Sequence, residues 1–174
     1  MPSPRYPLGP FVPPVDITPS HREAWIAAIT VLPGQVRDIA GRLDAARLDR
    51  PYRDGGWTLR QVIHHLPDSH LNGYCRFRLA LSEAEPAIRP YDQDGWASLP
   101  DARTAPIAPS LDLLDALHRR WVMLLEAMTD GDYQRRFFHP ETGEHMSLGA
   151  ALALYAWHGR HHLGHLELGQ NIQD

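Results

Sequence analysis

The chain has 174 residues, 43% of them hydrophobic and 22% charged, which is enough apolar material for a single domain, residues 1–174, with a buried core. A formal net charge of -4 offers no basic surface for nucleic acid, and no run of about eighteen apolar residues is present to span a membrane. All 17 basic residues are arginine, which excludes Schiff-base and lysine-nucleophile chemistry, and the single cysteine excludes an intrachain disulfide or a thiolate metal cluster.

The opening Met1-Pro2-Ser3-Pro4-Arg5-Tyr6 lacks the apolar core of a signal peptide, so the cytoplasm is the expected compartment. Residues 1–17 are proline-rich and predict an extended arm lying over the body. Thr18-Pro19-Ser20 starts a first helix, in which Trp25, Ile26, Ile29, Leu32, Val36, Ile39 and Leu43 recur at helical spacing. Pro33-Gly34 is expected to kink or break it.

Thr58 and Gln61 form a capping box that opens a second helix, running to about Ala84 with Pro67 inside it. Five prolines between 86 and 109 predict a long loop. Within it, Asp92-Gln93-Asp94-Gly95 lacks the closing glutamate of a calcium loop. Ser110 then caps a third helix with an apolar stripe of Leu111, Leu114, Leu117, Trp121, Leu124, Leu125 and Met128. A short hairpin is expected around Pro140-Glu141-Thr142-Gly143, and Ser147 caps a fourth helix that ends near Gly169. Four substantial helices with almost no strand signal predict an all-α four-helix bundle with long inter-helix loops.

Seven of the 11 histidines fall in two stretches, His64-His65 with His70 and His158 through His165. Both stretches lie on predicted helices roughly ninety residues apart. Imidazole is a common ligand for divalent metals, and ligands in bundles project inward from facing helices. On the fourth helix two pairs have the i, i+4 spacing of one face: His158 with His162, and His161 with His165. The stripe through positions 151, 154, 158, 161, 165 and 168 concentrates three histidines, which favours His161 and His165 as ligands, with His158 facing substrate or supporting them. The pair His158 and His162 is the alternative. Asp68, one turn after His65, is a candidate proton acceptor, and Arg160 a candidate for holding an anion. Cys75 is expected to fill core space. Trp57, Trp96, Trp121 and Trp157 are read first as packing residues.

Gly56-Trp57-Thr58-Leu59-Arg60-Gln61-Val62-Ile63-His64-His65-Leu66 with Asp68-Ser69-His70 resembles the second-helix motif of the DinB/YfiT-like superfamily. Tyr155-Ala156-Trp157-His158-Gly159-Arg160-His161-His162 with His165 resembles its fourth-helix motif, and Tyr6-Pro7-Leu8-Gly9 and Arg89-Pro90-Tyr91 resemble the YfiT branch. The resemblance implies a four-helix bundle of atypical helix order. It implies one divalent metal per chain, zinc or else nickel, held by a histidine of the second helix and an i, i+4 pair of the fourth. Carried over by position, these are His65, His161 and His165. The implied activity is metal-dependent hydrolysis, with thiol S-transfer to a low-molecular-weight thiol of the bacillithiol type as the alternative and a non-catalytic metal-binding bundle as the second. Catalytic candidates are Asp68, His158 and Arg160. The implied partners are a small-molecule substrate and a second copy of the chain in a homodimer.

Overall fold

The computed structural model describes residues 3–170. Four long helices dominate: α1 (Pro19–Ala40), α3 (Leu59–Ser82), α6 (Ala108–Ala127) and α8 (Leu148–Gln170). Between them lie the short helices α2 (Ala45–Leu48), α4 (Gln93–Ala97), α5 (Pro100–Thr104) and α7 (Asp130–Gln134), and the strands β1 (Arg136–His139) and β2 (Glu144–Ser147). The all-α four-helix bundle is therefore the observed architecture.

Local chemistry starts the long helices where expected. At α1 the Thr18 hydroxyl accepts the His21 N–H, and at α3 the Thr58 hydroxyl accepts the Gln61 N–H while the Gln61 side chain takes the Thr58 N–H. At α8 the Ser147 hydroxyl accepts the Ala150 N–H. The hairpin also forms, with His139 paired to Glu144 across the turn and Gly143 in the left-handed region at φ 68°.

Three expectations need correction. Helix α1 continues through Pro33 without a break, because Leu32, Pro33 and Val36 are all buried on its packed face. Residues 86–109 are not one loop. The Asp92 carboxylate caps α4 by accepting the Gly95 N–H at 2.9 Å. Pro100 and Pro109 sit in the first turns of α5 and α6, where no proline N–H is missed. Helix α6 thus begins at Ala108, ahead of Ser110. Cys75 is exposed on α3 and fills no core space.

The short helices brace α3. Gln61 donates from Nε2 to the Ala97 carbonyl at 2.7 Å, and Arg60 from Nη1 to the Ala105 carbonyl at 2.9 Å. His64 turns the same way, its Nδ1 at 2.7 Å from the Ser110 hydroxyl, and so leaves the bundle interior. No described helix is long and apolar enough to cross a membrane.

Helices α1 and α3 each pack against both α6 and α8. The diagonal pairs are therefore α1 with α3 and α6 with α8, each consecutive among the long helices, which is an uncommon order for a bundle. The buried apolar residues form two clusters, one around Phe77, Trp121 and Leu152, the other around Leu32, Leu59 and Leu66. On α8 the four histidines, and on α3 His70, occupy chain positions between those of the two clusters.

A small residue sets the approach of α3 to α8. A Cβ on Gly73 would lie 2.4 Å from the Tyr155 ring. Gly73→Ala gains helix propensity of about 1 kcal/mol and loses about 1–3 kcal/mol to overpacking. The expected outcome in urea melts of the metal-free protein is net destabilisation, relieved by Tyr155→Leu in the double variant.

Candidate metal centre

Helix α3 turns His65 inward, with 3% of its surface exposed, and His70 one further turn along is fully buried. Helix α8 meets it with the face that carries Tyr155, His158 and His162. The Nε2 atoms of His65 and His158 are 3.2 Å apart, and His162 closes a triangle in which one nitrogen of each ring lies within 4.8 Å of the others. No fourth histidine, cysteine or carboxylate joins that group among the described residues.

A second close group, His161, His162 and His165, shares His162. The expected set of His65, His161 and His165 is thus divided. The structure places His65 with His158 and His162, and it places His161 and His165 one face further round α8. That face is turned to the N-terminal arm and the α2–α3 loop. The Arg5 carbonyl accepts from His165 Nε2 at 3.2 Å, Tyr6 packs on His161, and the Tyr52 ring stacks on His165 at 3.9 Å. The expected extended arm does lie over the body, and it covers this part of α8.

Burial governs the electrostatics. It pushes the His65 imidazolium down to about 3, with His161 and His165 adding to the shift. It holds His158, His162 and His70 well below the ordinary histidine value and brings His118 and His165 to about 4. At neutral pH these rings are uncharged, the form that binds a metal.

A cleft of about 580 Å³ is lined by His158 and His162 of the triangle, by His161 and His165, and by Arg5, Arg53, Arg76, Trp57, Tyr91 and Trp157. Trp57 packs on His65 at 4.7 Å between ring centres and is pinned by its Nε1–H, which donates to Asp94 at 3.0 Å. Trp157 stacks on His161. Trp121 is core, and Trp96 packs on Tyr91 at the surface.

Two of the candidate catalytic residues stand off the cleft. Arg160 is exposed and donates back to the Ala156 carbonyl of its own helix. Asp68 is half-buried outside the cleft wall, its carboxyl pushed up to about 6 by burial and then by nearby Asp101. His118 on α6 went unnoticed in the sequence. It is 1% exposed, and its Nε2 is 2.9 Å from His70 Nδ1. The available signal was a lone histidine in the apolar stripe Leu114, His118, Trp121, Leu125.

The model of the DinB superfamily matches residues 28–166. The chain belongs to the DinB superfamily. Among relatives of this DinB-superfamily chain, the protein of Bacillus subtilis named "Putative metal-dependent hydrolase YfiT" is 46% identical over 161 residues, covering 92% of this chain and 90% of its own. A Bacillus pumilus protein named "Putative metal-dependent hydrolase" is 49% identical over 166 residues, covering 95% of this chain and 94% of its own. A solved structure of Bacillus subtilis YfiT superposes with a TM-score of 0.93 at 46% identity over 95% of both chains. That protein is described as a probable metal-dependent hydrolase with an unusual four-helix bundle topology.

The depressed histidines fix a pH dependence. The unfolded chain takes up protons near the ordinary value of 6.5, whereas the folded protein resists until about 3 to 4. Unfolding therefore binds protons in that window, and stability falls as pH falls, by up to about 1.4 kcal/mol per pH unit for each such histidine. Asp68, raised from 3.8 to about 6, works in the opposite direction as a single group. Urea melts of the metal-free protein at pH 7.5, 6 and 5 are expected to show a steep decline; a flat profile would mean that the folded rings are protonated.

Proposed function

We propose that this protein is a metal-dependent hydrolase in which His65, His158 and His162 hold one divalent ion, zinc in the first instance, and water is the nucleophile. The observation that carries the reading is the pair of Nε2 atoms of His65 and His158, 3.2 Å apart, with His158 and His162 lining an open cleft. Two nitrogens bound to one tetrahedral ion at about 2.0–2.1 Å are separated by roughly 3.3 Å, so the pair needs little adjustment. The donor set fits: three neutral imidazoles with no fourth side-chain ligand among the described residues match an open catalytic zinc site, whereas a closed structural site has four. The names of the relatives support the same class.

Bound there, a divalent ion supplies Lewis-acid charge, which makes water acidic enough to serve as a nucleophile near neutral pH. The chain's own residues do the rest. His65, His158 and His162 stay neutral because they are buried, so their lone pairs are available at working pH. Trp57 and Trp157 wall the cleft and restrict solvent around the histidines. Arg5, Arg53 and Arg76 outnumber Asp94 and Glu141 in the cleft lining, a balance that favours a substrate carrying a negative group.

Two experiments test this. In metal analysis of purified variants, His65→Ala, His158→Ala and His162→Ala are each expected to lose stoichiometric metal, while His161→Ala retains it. Loss in His161→Ala with retention in His158→Ala would move the ion to the neighbouring group. In turnover assays with ester, amide and phosphoester substrates, activity is expected without added thiol. Strict dependence on a low-molecular-weight thiol would replace hydrolysis by thiol transfer.

A further inference from the structure

A neutral imidazole has one lone pair, and the partner of one nitrogen decides which nitrogen carries it. We propose that two buried histidine chains, each anchored on a backbone carbonyl, fix the tautomers of His158 and His162 so that both rings keep Nε2 free for a metal. The proposal rests on the reading of these two residues as ligands.

The first chain begins on α1. In a regular helix the Ile29 carbonyl would accept the N–H of residue 33, but residue 33 is proline and has none. His118 of α6 takes the vacant place, with Nδ1 at 2.6 Å from the Ile29 oxygen. A carbonyl only accepts, so His118 carries its proton on Nδ1 and its lone pair on Nε2. That lone pair accepts from His70 Nδ1 at 2.9 Å, which places the His70 lone pair on Nε2. His70 Nε2 in turn accepts from His158 Nδ1 at 3.1 Å. His158 is left with its lone pair on Nε2, the atom that faces His65.

The second chain begins on the N-terminal arm. The Arg5 carbonyl accepts from His165 Nε2 at 3.2 Å, so the His165 lone pair is on Nδ1. It accepts from His162 Nδ1 at 3.3 Å and leaves His162 with a lone pair on Nε2. In either chain, reversing one ring sets proton against proton or lone pair against lone pair inside the protein, a buried mismatch. His70 and His118 are 0% and 1% exposed, and both meet Trp121 edge-to-face, which holds their planes. His70, His118 and His165 are positioning residues that act through the ligands. The first chain crosses all four long helices, α1, α6, α3 and α8.

The tautomers can be read without metal. Two-bond proton–nitrogen correlation spectra of histidine-labelled metal-free protein at pH 7.5 are expected to show the Nδ1–H form at His70, His118, His158 and His162, and the Nε2–H form at His165. Free imidazole side chains in water favour Nε2–H, so four rings in the minority form are diagnostic. Nε2–H at His70 or His158 overturns the proposal. In a second measurement, metal affinity is determined by chelator competition. His118→Gln keeps an acceptor for His70 and a donor for Ile29 and is expected to stay within about threefold of wild type. His118→Phe keeps neither and is expected to bind about 10–100-fold more weakly. Equal affinity for wild type and His118→Phe overturns the proposal. Should His118→Phe fail to fold, the wild-type spectra still decide it. The ligand reading is tested separately by the loss of metal expected in His158→Ala.

Discussion

The structure turns on the burial of polar rings in an apolar core. His65, His70, His118, His162 and His165 are buried and His158 is half-buried, and a buried imidazole nitrogen without a partner is destabilising. The fold meets this demand by letting the rings satisfy one another and two backbone carbonyls. What is left over is a set of nitrogens converging on one point. The proposed metal centre lies where the two chains stop, at ring nitrogens of His158 and His162 that face His65.

That network demands close helix spacing, and small residues supply it. Gly73 admits the Tyr155 ring, and Gly159 lies where a Cβ would sit 2.4 Å from the end of Leu32. Both contacts involve α8, the helix that carries two of the three proposed ligands. The diagonal placement of α1 and α3 matters equally, because it puts α8 and α6 beside both of them. A histidine on α6 can then touch α1 and α3 at once, as His118 does. In a bundle where each helix neighbours the next in sequence, α1 and α3 would not share these partners in the same way.

Much of this was legible in the sequence, and the gaps have physical causes. Capping residues at Thr18, Thr58 and Ser147 marked helix starts correctly, because a cap is a local interaction. The prolines between 86 and 109 misled because a proline is tolerated in a helix's first turn as well as in a loop, and only the neighbouring Asp92 cap distinguishes one case there. The two i, i+4 pairs on α8 differ by one face, and periodicity cannot choose between faces when both are apolar upstream. The choice is made by tertiary contacts: α3 takes the face of His158 and His162, and the N-terminal arm takes that of His161 and His165. Pro33 read as a helix breaker, whereas its effect is to free a carbonyl whose new partner lies on a different helix.

The arm that lies across α8 carries a consequence for how the molecule comes into being. Arg5 and His165 are separated by 160 positions, and the hydrogen bond between them closes one wall of the centre. Loops of that length form late and add little local reward while the chain is short. A nascent chain emerging from the ribosome has its first half, with His65 and His70, long before α8 exists to pair with them. Assembly of the proposed centre therefore belongs to the end of synthesis, and a chain that stops before α8 lacks the partners of His65 and His70 on that helix.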